Sequence, residues 1–460
     1  MTQKKDTLAL LLALGITAGI VGIGVRLFFP ILPSPIDATN GDLTKRLSYG
    51  EKSLVPTVMN PEKKQGISAF ATGNYVKAIQ HFQKSLEIYA NDPEALIYLN
   101  NAKIGQKAVT LAVSFPIGTD VNASQELLRG VAQAQTEVNA QGGINGASLK
   151  ILIANDDEDK TIAKKLGEEF VKNPEILGVI GHSASDTTLN VAKNVYQPQG
   201  LPMISPISTS VELSELGNYI FRTVPSDSFA GTALANYALK SLKKQKIAIF
   251  YDSQSNYSKS LKTVFSTALL GNGGEVVTEI DFAVPNFNAV DALKQSKSLG
   301  AEVLMLAMNT DKSNEALLVI KANQRIMALL AGDEAYKPEI LQIGGNDAAG
   351  MVIAIPWHVL AHKDNPFVKE AARLWKTTNI NWRTAMAYDA AIAFATAMKQ
   401  NTTRESIQSA LANPSFVAQG ASGPIRFLPS GDRNQPIQLV MVKPGKRSGY
   451  QYDFIPIANP

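Results

Sequence analysis

Residues Gly181–Ser210 carry two clusters of small hydroxyl side chains: Ser183, Ser185, Thr187 and Thr188, then Ser205, Ser208, Thr209 and Ser210. Each follows a short apolar run, ILGVIG or LPMIS, and precedes a stretch expected to be helical. The first turn of a helix leaves backbone N–H groups unpaired and carries a partial positive charge. Ser or Thr at the cap adds hydroxyl groups there. Two such helix ends facing one cleft would hold a carboxylate without Lys or Arg. The chemistry this suggests is binding of a small anion or zwitterion. Gly181-His182-Ser183-Ala184-Ser185 has the outline of a nucleophile elbow but lacks its second glycine. Neither a Walker loop nor a dinucleotide fingerprint is present. With no nucleophile–base–orienter set, the expectation is a non-enzyme with no cofactor and no metal.

Composition sets the class. The chain has 460 residues, 45% hydrophobic and 18% charged, with net charge +4, an ordinary globular mixture of roughly two to four domains. No long Lys/Arg tract is present, which argues against a nucleic-acid partner. Cysteine is absent, which excludes disulfides, thiol catalysis and a lipidated Cys. The four histidines (His81, His182, His358, His362) are scattered. Only His358 and His362 have a spacing that one helix face could use, and Pro356 nearby argues against that.

From Ala108 onward, apolar runs alternate with helical patterns. Expected strands are VTLAVSF, LKILIAN, ILGVIG, LPMIS, KIAIFYD, GEVVTEIDF, VLMLAMN and LLAGD. Expected helices include 125–139, 161–172, 229–243, 258–270 and 289–299. This alternation predicts an α/β fold with parallel sheets covered on both faces. So long a segment suits two lobes. Ligands of open α/β sheets sit beyond the carboxyl ends of the strands. Both hydroxyl clusters lie there, with Asn155-Asp156-Asp157, Tyr251-Asp252, Asn309-Thr310-Asp311 and Asp333-Glu334. For His182 the reading is satisfaction by local backbone, for Arg222 a structural ion pair, and for Asp156 and Asp157 either capping or a bridge between lobes.

The N-terminal part is read as an address and a spacer. Thr7–Val25 is uncharged; at about 1.5 Å per residue it spans about 28 Å, enough for a transmembrane helix. Lys4 and Lys5 before it orient the remainder outside the cytoplasm. A cleaved signal peptide is the rival reading. The expected layout is anchor or signal segment 1–30, linker 31–60 and helical segment 61–106. In that segment Gly66, Gly73, Tyr75, Ala78, Phe82 and Leu86 resemble one tetratricopeptide repeat. It is read as a stalk, or else as a docking site for a partner.

Beyond Ala108 the chain resembles the branched-chain amino-acid-binding (Leu/Ile/Val-binding) family of periplasmic substrate-binding proteins. These are two-lobed type I folds with three hinge crossovers that feed ABC importers. The motifs that carry the resemblance are INGASLKILIANDDED, GHSASDTTLNVAKNVYQPQGLPMISPISTS, YIFRTVPSD, AMAYDAAIAFATAM and GPIRFLPSGDR, in that order. It implies that Ser185 binds an α-carboxylate. Thr209 would bind carboxylate and ammonium, with Ser208 beside it. Ile207 would offer a backbone carbonyl to the ammonium. Tyr257 would close over the ligand from the second lobe, and Asp333 would neutralise the ammonium, with Glu334 as fallback. Asn309 stands where the family often has a second aromatic. Ser258 replaces the glycine that usually follows the tyrosine, and the first-strand loop reads FPIGTD. The crossovers are expected near Pro225, Pro356 and Gly423. That divides the domain into lobe one, 108–224 and 357–422, and lobe two, 225–356 and 424–455. The implied function is capture of an amino acid on the periplasmic side of the inner membrane and delivery to an ABC permease. The alternative is a ligand-sensing receptor, or a scaffold or activator of an envelope enzyme, on the same fold.

Overall fold

A computed structural model of the chain describes residues 43–56 and 59–458. The expected membrane helix at 7–25 lies outside the described residues. Among those described, no helix is long and apolar enough to cross a membrane. By its internal contacts the chain divides after Thr44; the account below concerns the part from Lys45 onward.

Two sheets dominate. The first contains β1 (Leu47–Ser48), β2 (Ala108–Phe115), β3 (Ser148–Asn155), β4 (Ile176–Gly181), β5 (Met203–Ser205) and β6 (Ile220–Arg222) in the order β1-β3-β2-β4-β5-β6. All neighbours are parallel except β1, which pairs antiparallel with β3. The second contains β7 (Lys246–Tyr251), β8 (Glu275–Asp281), β9 (Val303–Ala307), β10 (Ala328–Ala331) and β11 (Val352–Ile355). After a small hairpin of β12 (Ala418–Gly420) and β13 (Gly423–Ile425), it is completed by β14 (Gln438–Pro444) and β15 (Tyr452–Ile457). Its order is β15-β14-β11-β10-β9-β7-β8. The inner strands β2, β4, β9 and β11 are apolar and buried almost throughout, as strands covered on both faces must be.

Local chemistry turns each strand into its helix. Asp120 caps Val121–Ala140, its Oδ1 accepting from Ala123 N at 3.0 Å. Asp159 caps Lys160–Lys172 through the N–H groups of Thr161 and Ile162. Gly130 lets the helix Trp382–Met398 lie directly on Val121–Ala140: a Cβ there would sit 2.2 Å from the carbonyl oxygen of Thr384. That close approach returns the chain to lobe one after β11.

The hinge is pinned by buried charge. Arg222, at the end of β6, pairs with Asp432 at 2.6 Å and donates to the Ser210 carbonyl, the structural ion pair expected of it. Asp389 accepts from Ala421 N and from the Ser422 hydroxyl. Gln435 Nε2 donates to the Pro356 carbonyl, tying the second crossover to the third. The third crossover lies nearer Gln435 than the expected Gly423. The β12–β13 hairpin and Phe427, which packs on Phe221 and Phe416, hold residues up to Asp432 on lobe one.

The helical segment differs from the expected stalk. Of its helices Pro61–Ala71, Tyr75–Ile88 and Pro93–Ala102, the first packs on the second, the second on the third, and the third on lobe one, against Val121–Ala140 and β3. The buried amide of Asn101 donates to the carbonyls of Tyr49 and Ile151 and accepts from Ile151 N and Gln135 Nε2. The expected linker 31–60 contributes β1 to the first sheet. Residues 53–55 are held by buried Glu94, which accepts from Ser53, Leu54 and Val55 and pairs with fully buried Lys63.

Candidate functional site

The two hydroxyl clusters meet. Thr188 and Ser208 share a 2.6 Å hydroxyl contact. Ser208 Oγ also donates to the Ser183 carbonyl at 2.9 Å, and Ser205 Oγ donates to the His182 carbonyl at 3.1 Å. Ser208 is therefore a crosslink between the two loops, with its hydroxyl engaged. Ser185 is the first residue of the helix Ser185–Val191, and its buried Oγ accepts from Ser210 N at 3.4 Å. The N-cap is Ala184, which offers no side-chain cap. The second cluster leads only into a 3-10 turn, Val211–Glu215, with Ser210 as its cap. One helix end, rather than two, thus faces this loop pair. Ile207 is half-buried beside them, its N–H on Ser205 Oγ.

Thr209 differs from its neighbours. It is buried, yet its Oγ1 has no hydrogen-bond partner. Its carbonyl accepts from Asp227 N at 2.9 Å. Asp227 is 1% exposed and its Oδ2 likewise lacks a bonding partner. Burial raises its pKa to about 6, although the nearby Ser260 and Thr209 hydroxyls and the Arg222 charge favour ionisation. The Thr209 hydroxyl and the Asp227 carboxylate thus neighbour each other, one from lobe one and the other from the start of lobe two.

Lobe two supplies the opposite wall. Tyr257 lies in the first turn of the helix Asn256–Gly271, and its hydroxyl donates to Asp333 Oδ1 at 2.7 Å. Gly332 makes that reach possible: a Cβ there would lie 2.3 Å from the Tyr257 hydroxyl. Burial raises the Asp333 pKa to about 7, with Asp227 and Glu334 adding to the rise and the Tyr257 bond and Arg383 opposing it. Glu334 is committed elsewhere. It holds Lys337, accepts from Thr310, and accepts from Arg383 Nη2 at 3.2 Å. Burial would raise its pKa, but the two cations outweigh this and lower it. Asn309, two residues beyond β9, keeps a buried Oδ1 without a partner.

The lobes touch across the cleft. Asp186 of lobe one accepts from Asn256 N at 2.9 Å, Val211 N donates to Ser260 Oγ at 3.0 Å, and Arg383 donates to Glu334 and the Tyr336 carbonyl. The cleft is closed. His182 is fully buried between Asp156 at 2.6 Å and Tyr196 at 3.0 Å, so side chains satisfy it where local backbone was expected. Asp156 also accepts from Ser114 and Glu158 N, while Asp157 pairs with Arg46; both stay within lobe one.

Sequence reasoning passed over Asp227, Asp186 and Arg383 as site residues. Asp227 and Asp186 lie inside motifs already singled out, YIFRTVPSD and the stretch 181–210. Arg383 gave no signal, because a buried arginine leaves no mark on hydrophobic periodicity.

Residues 108–448 match the family described as periplasmic binding protein. The chain is 27% identical over 305 residues to the leucine-specific-binding protein of Salmonella typhimurium, covering 66% of this chain and 82% of that protein. It is 34% identical over 171 residues to the Leu/Ile/Val-binding protein of Escherichia coli, covering 37% and 45% of the two chains. A leucine-binding protein from Thermotoga maritima superposes with a TM-score of 0.67 at 23% identity, covering 77% of this chain and 99% of that one. A closed-conformation structure from Brucella ovis, named for leucine, isoleucine, valine, threonine and alanine binding, superposes at 0.68 and 15% identity, covering 76% and 95%.

Proposed function

The chain belongs to the periplasmic binding protein family, and on that footing we propose that it captures an amino acid by hinge closure and delivers it to an ABC permease. The observation that supports this reading is the meeting, in a closed cleft, of buried Ser185 and Thr209 from lobe one with buried Asp227, Tyr257 and Asp333 from lobe two. The α-carboxylate would sit at Ser185 and Thr209, on the first turn of the helix Ser185–Val191. The α-ammonium would sit between the Ile207 carbonyl and Asp333. Asp186–Asn256 and Val211–Ser260 would form as the lobes close, making occupancy visible to a partner. The homologues named above are leucine and branched-chain amino-acid binders by their names. The protein would act on the periplasmic side of the membrane, held there by the apolar run at 7–25.

The test is calorimetric titration of the full chain with leucine, lysine and glutamine, repeated with Ser185→Ala and Thr209→Ala. Each lost bond to a charged carboxylate costs about 1.5–3 kcal/mol, about 10- to 150-fold in affinity. Unchanged affinity in both variants would overturn the reading. A second reading is a sensor or envelope scaffold. It is favoured by one observation: residues 45–102 are bonded to lobe one and would move with it.

A further inference from the structure

The contacts that join the lobes across the cleft differ in kind. Asp186–Asn256 and Val211–Ser260 are single hydrogen bonds, each using a backbone N–H. Arg383 of lobe one and Glu334 of lobe two instead form an ion pair between side chains. Away from the hinge it is the one ion pair among the described residues that joins the lobes. Arg383 Nη2 donates to Glu334 at 3.2 Å and Nη1 to the Tyr336 carbonyl at 3.3 Å. One guanidinium thus grips two residues of the turn after β10. The two side chains are only 7% and 16% exposed, so salt screens the pair less than it would at the surface.

Each half of the contact is set on its own lobe. Asn381 caps the helix Trp382–Met398 by accepting from Arg383 N at 3.0 Å. The guanidinium lies over the Trp382 ring, 4.4 Å from its centroid, a cation–π contact that narrows its freedom. On lobe two, Glu334 is held by Lys337 and Thr310. Closure therefore orders little that was loose, which leaves more of the attraction for holding the lobes together. On opening, Glu334 keeps Lys337 and Thr310 and Arg383 meets water, so the contact can break without stranding a buried charge. Glu334 also follows Asp333 in the 3-10 turn Asp333–Ala335. The residue assigned to the ligand and the residue that binds the other lobe are therefore adjacent.

We infer that Arg383 and Glu334 are a latch that holds the cleft shut, with Arg383 a positioning residue that acts through Glu334 and sets how long a ligand stays. Its consequence for a ligand rests on the amino-acid reading above; its effect on the lobes does not. The chain has no cysteine, so donor and acceptor dyes can be placed one on each lobe through Lys165→Cys and Lys259→Cys, both exposed. The experiment is energy transfer between these dyes in the full chain, with stopped-flow kinetics of the tightest binder among L-leucine, L-lysine and L-glutamine. Arg383→Gln and Glu334→Gln should each lower transfer in the ligand-free protein, and the double variant should lower it no further than the worse single one. Arg383→Lys, which keeps the charge but not the forked grip, should recover part of the loss. Arg383→Gln should raise the ligand's dissociation rate about 10-fold, the worth of one charge-assisted contact, and leave association unchanged. Wild-type transfer in both single variants would overturn the latch. So would an unchanged dissociation rate, or a loss without recovery in Arg383→Lys, the mark of a merely structural role. Binding of none of the three amino acids would overturn the amino-acid reading, and energy transfer alone would then decide the latch.

Discussion

Ligand affinity should rise with pH, and Asp333 should be the main reason. In the ligand-free cleft its pKa is raised to about 7, chiefly by burial. The groups facing it are Tyr257, Asp227, Arg383 and Glu334. An ammonium group beside it favours the ionised form, so binding expels the proton, and affinity increases as pH rises. At pH 5 only about one Asp333 in 100 is ionised, so affinity for an uncharged-side-chain probe such as L-leucine should be about 100-fold below its plateau near pH 8.5, or about 2.7 kcal/mol. Asp227, at about 6, broadens the transition. The folding linkage has its own sign. The Asp333 pKa lies above its unfolded value near 4, so its stabilising contribution is present below about pH 4 and is lost as pH rises through about 7. That loss is roughly 4 kcal/mol in the ligand-free protein, and bound ligand should restore part of it. The assay is titration calorimetry from pH 5 to 8.5 in buffers of differing ionisation enthalpy, on wild type and Asp333→Asn. The wild type should release close to one proton per ligand at pH 6, and the variant should release fewer and bind about 10-fold or more weakly at pH 8.5. A pH-independent wild-type affinity, or an Asp333→Asn variant with the same proton release, would refute the reasoning.

Thr209→Val removes a buried hydroxyl that has no partner; thermal unfolding of the ligand-free protein should be unchanged or raised, while calorimetric affinity falls about 10-fold. Gly332→Ala places a Cβ 2.3 Å from the Tyr257 hydroxyl and 2.5 Å from Leu261 Cδ2; denaturant titration should show a loss of about 1–3 kcal/mol, with a larger loss of binding as Tyr257 is pushed from Asp333. Asn101→Ala leaves buried carbonyl and amide groups of Ile151 and Tyr49 unpaired; the cost should be about 2–4 kcal/mol in one cooperative transition, whereas a separate low-temperature transition would mean that residues 45–102 fold independently. Asp186→Ala removes an acceptor of the opposite lobe's Asn256 N–H; small-angle scattering should show a less compact ligand-free protein.

The alternation of apolar runs and helical patterns was legible because buried parallel strands have little choice but to be continuously apolar, as β2 and β9 are. Topology pointed to the polar groups at strand ends, Thr209, Asn309 and Asp333 among them, whereas Tyr257, inside a helix, was named only through the family resemblance. Ser208 was legible as polar but not as a crosslink, because its role depends on Thr188 from another loop. The weld between the helical segment and lobe one was not legible. It is carried by Asn101 and Gln135, and a buried amide inside a helix reads in sequence as a surface residue. For the same reason β1 passed as linker: two residues paired with the edge strand β3 leave no periodic signal.

The most direct test of the account is calorimetric titration of the full chain with the twenty amino acids at pH 8, followed by the same titration on Asp333→Asn. The account predicts saturable one-to-one binding of at least one of them, weakened about 10-fold or more in the variant. Absence of binding by every amino acid, or binding that the variant leaves unchanged, would contradict it.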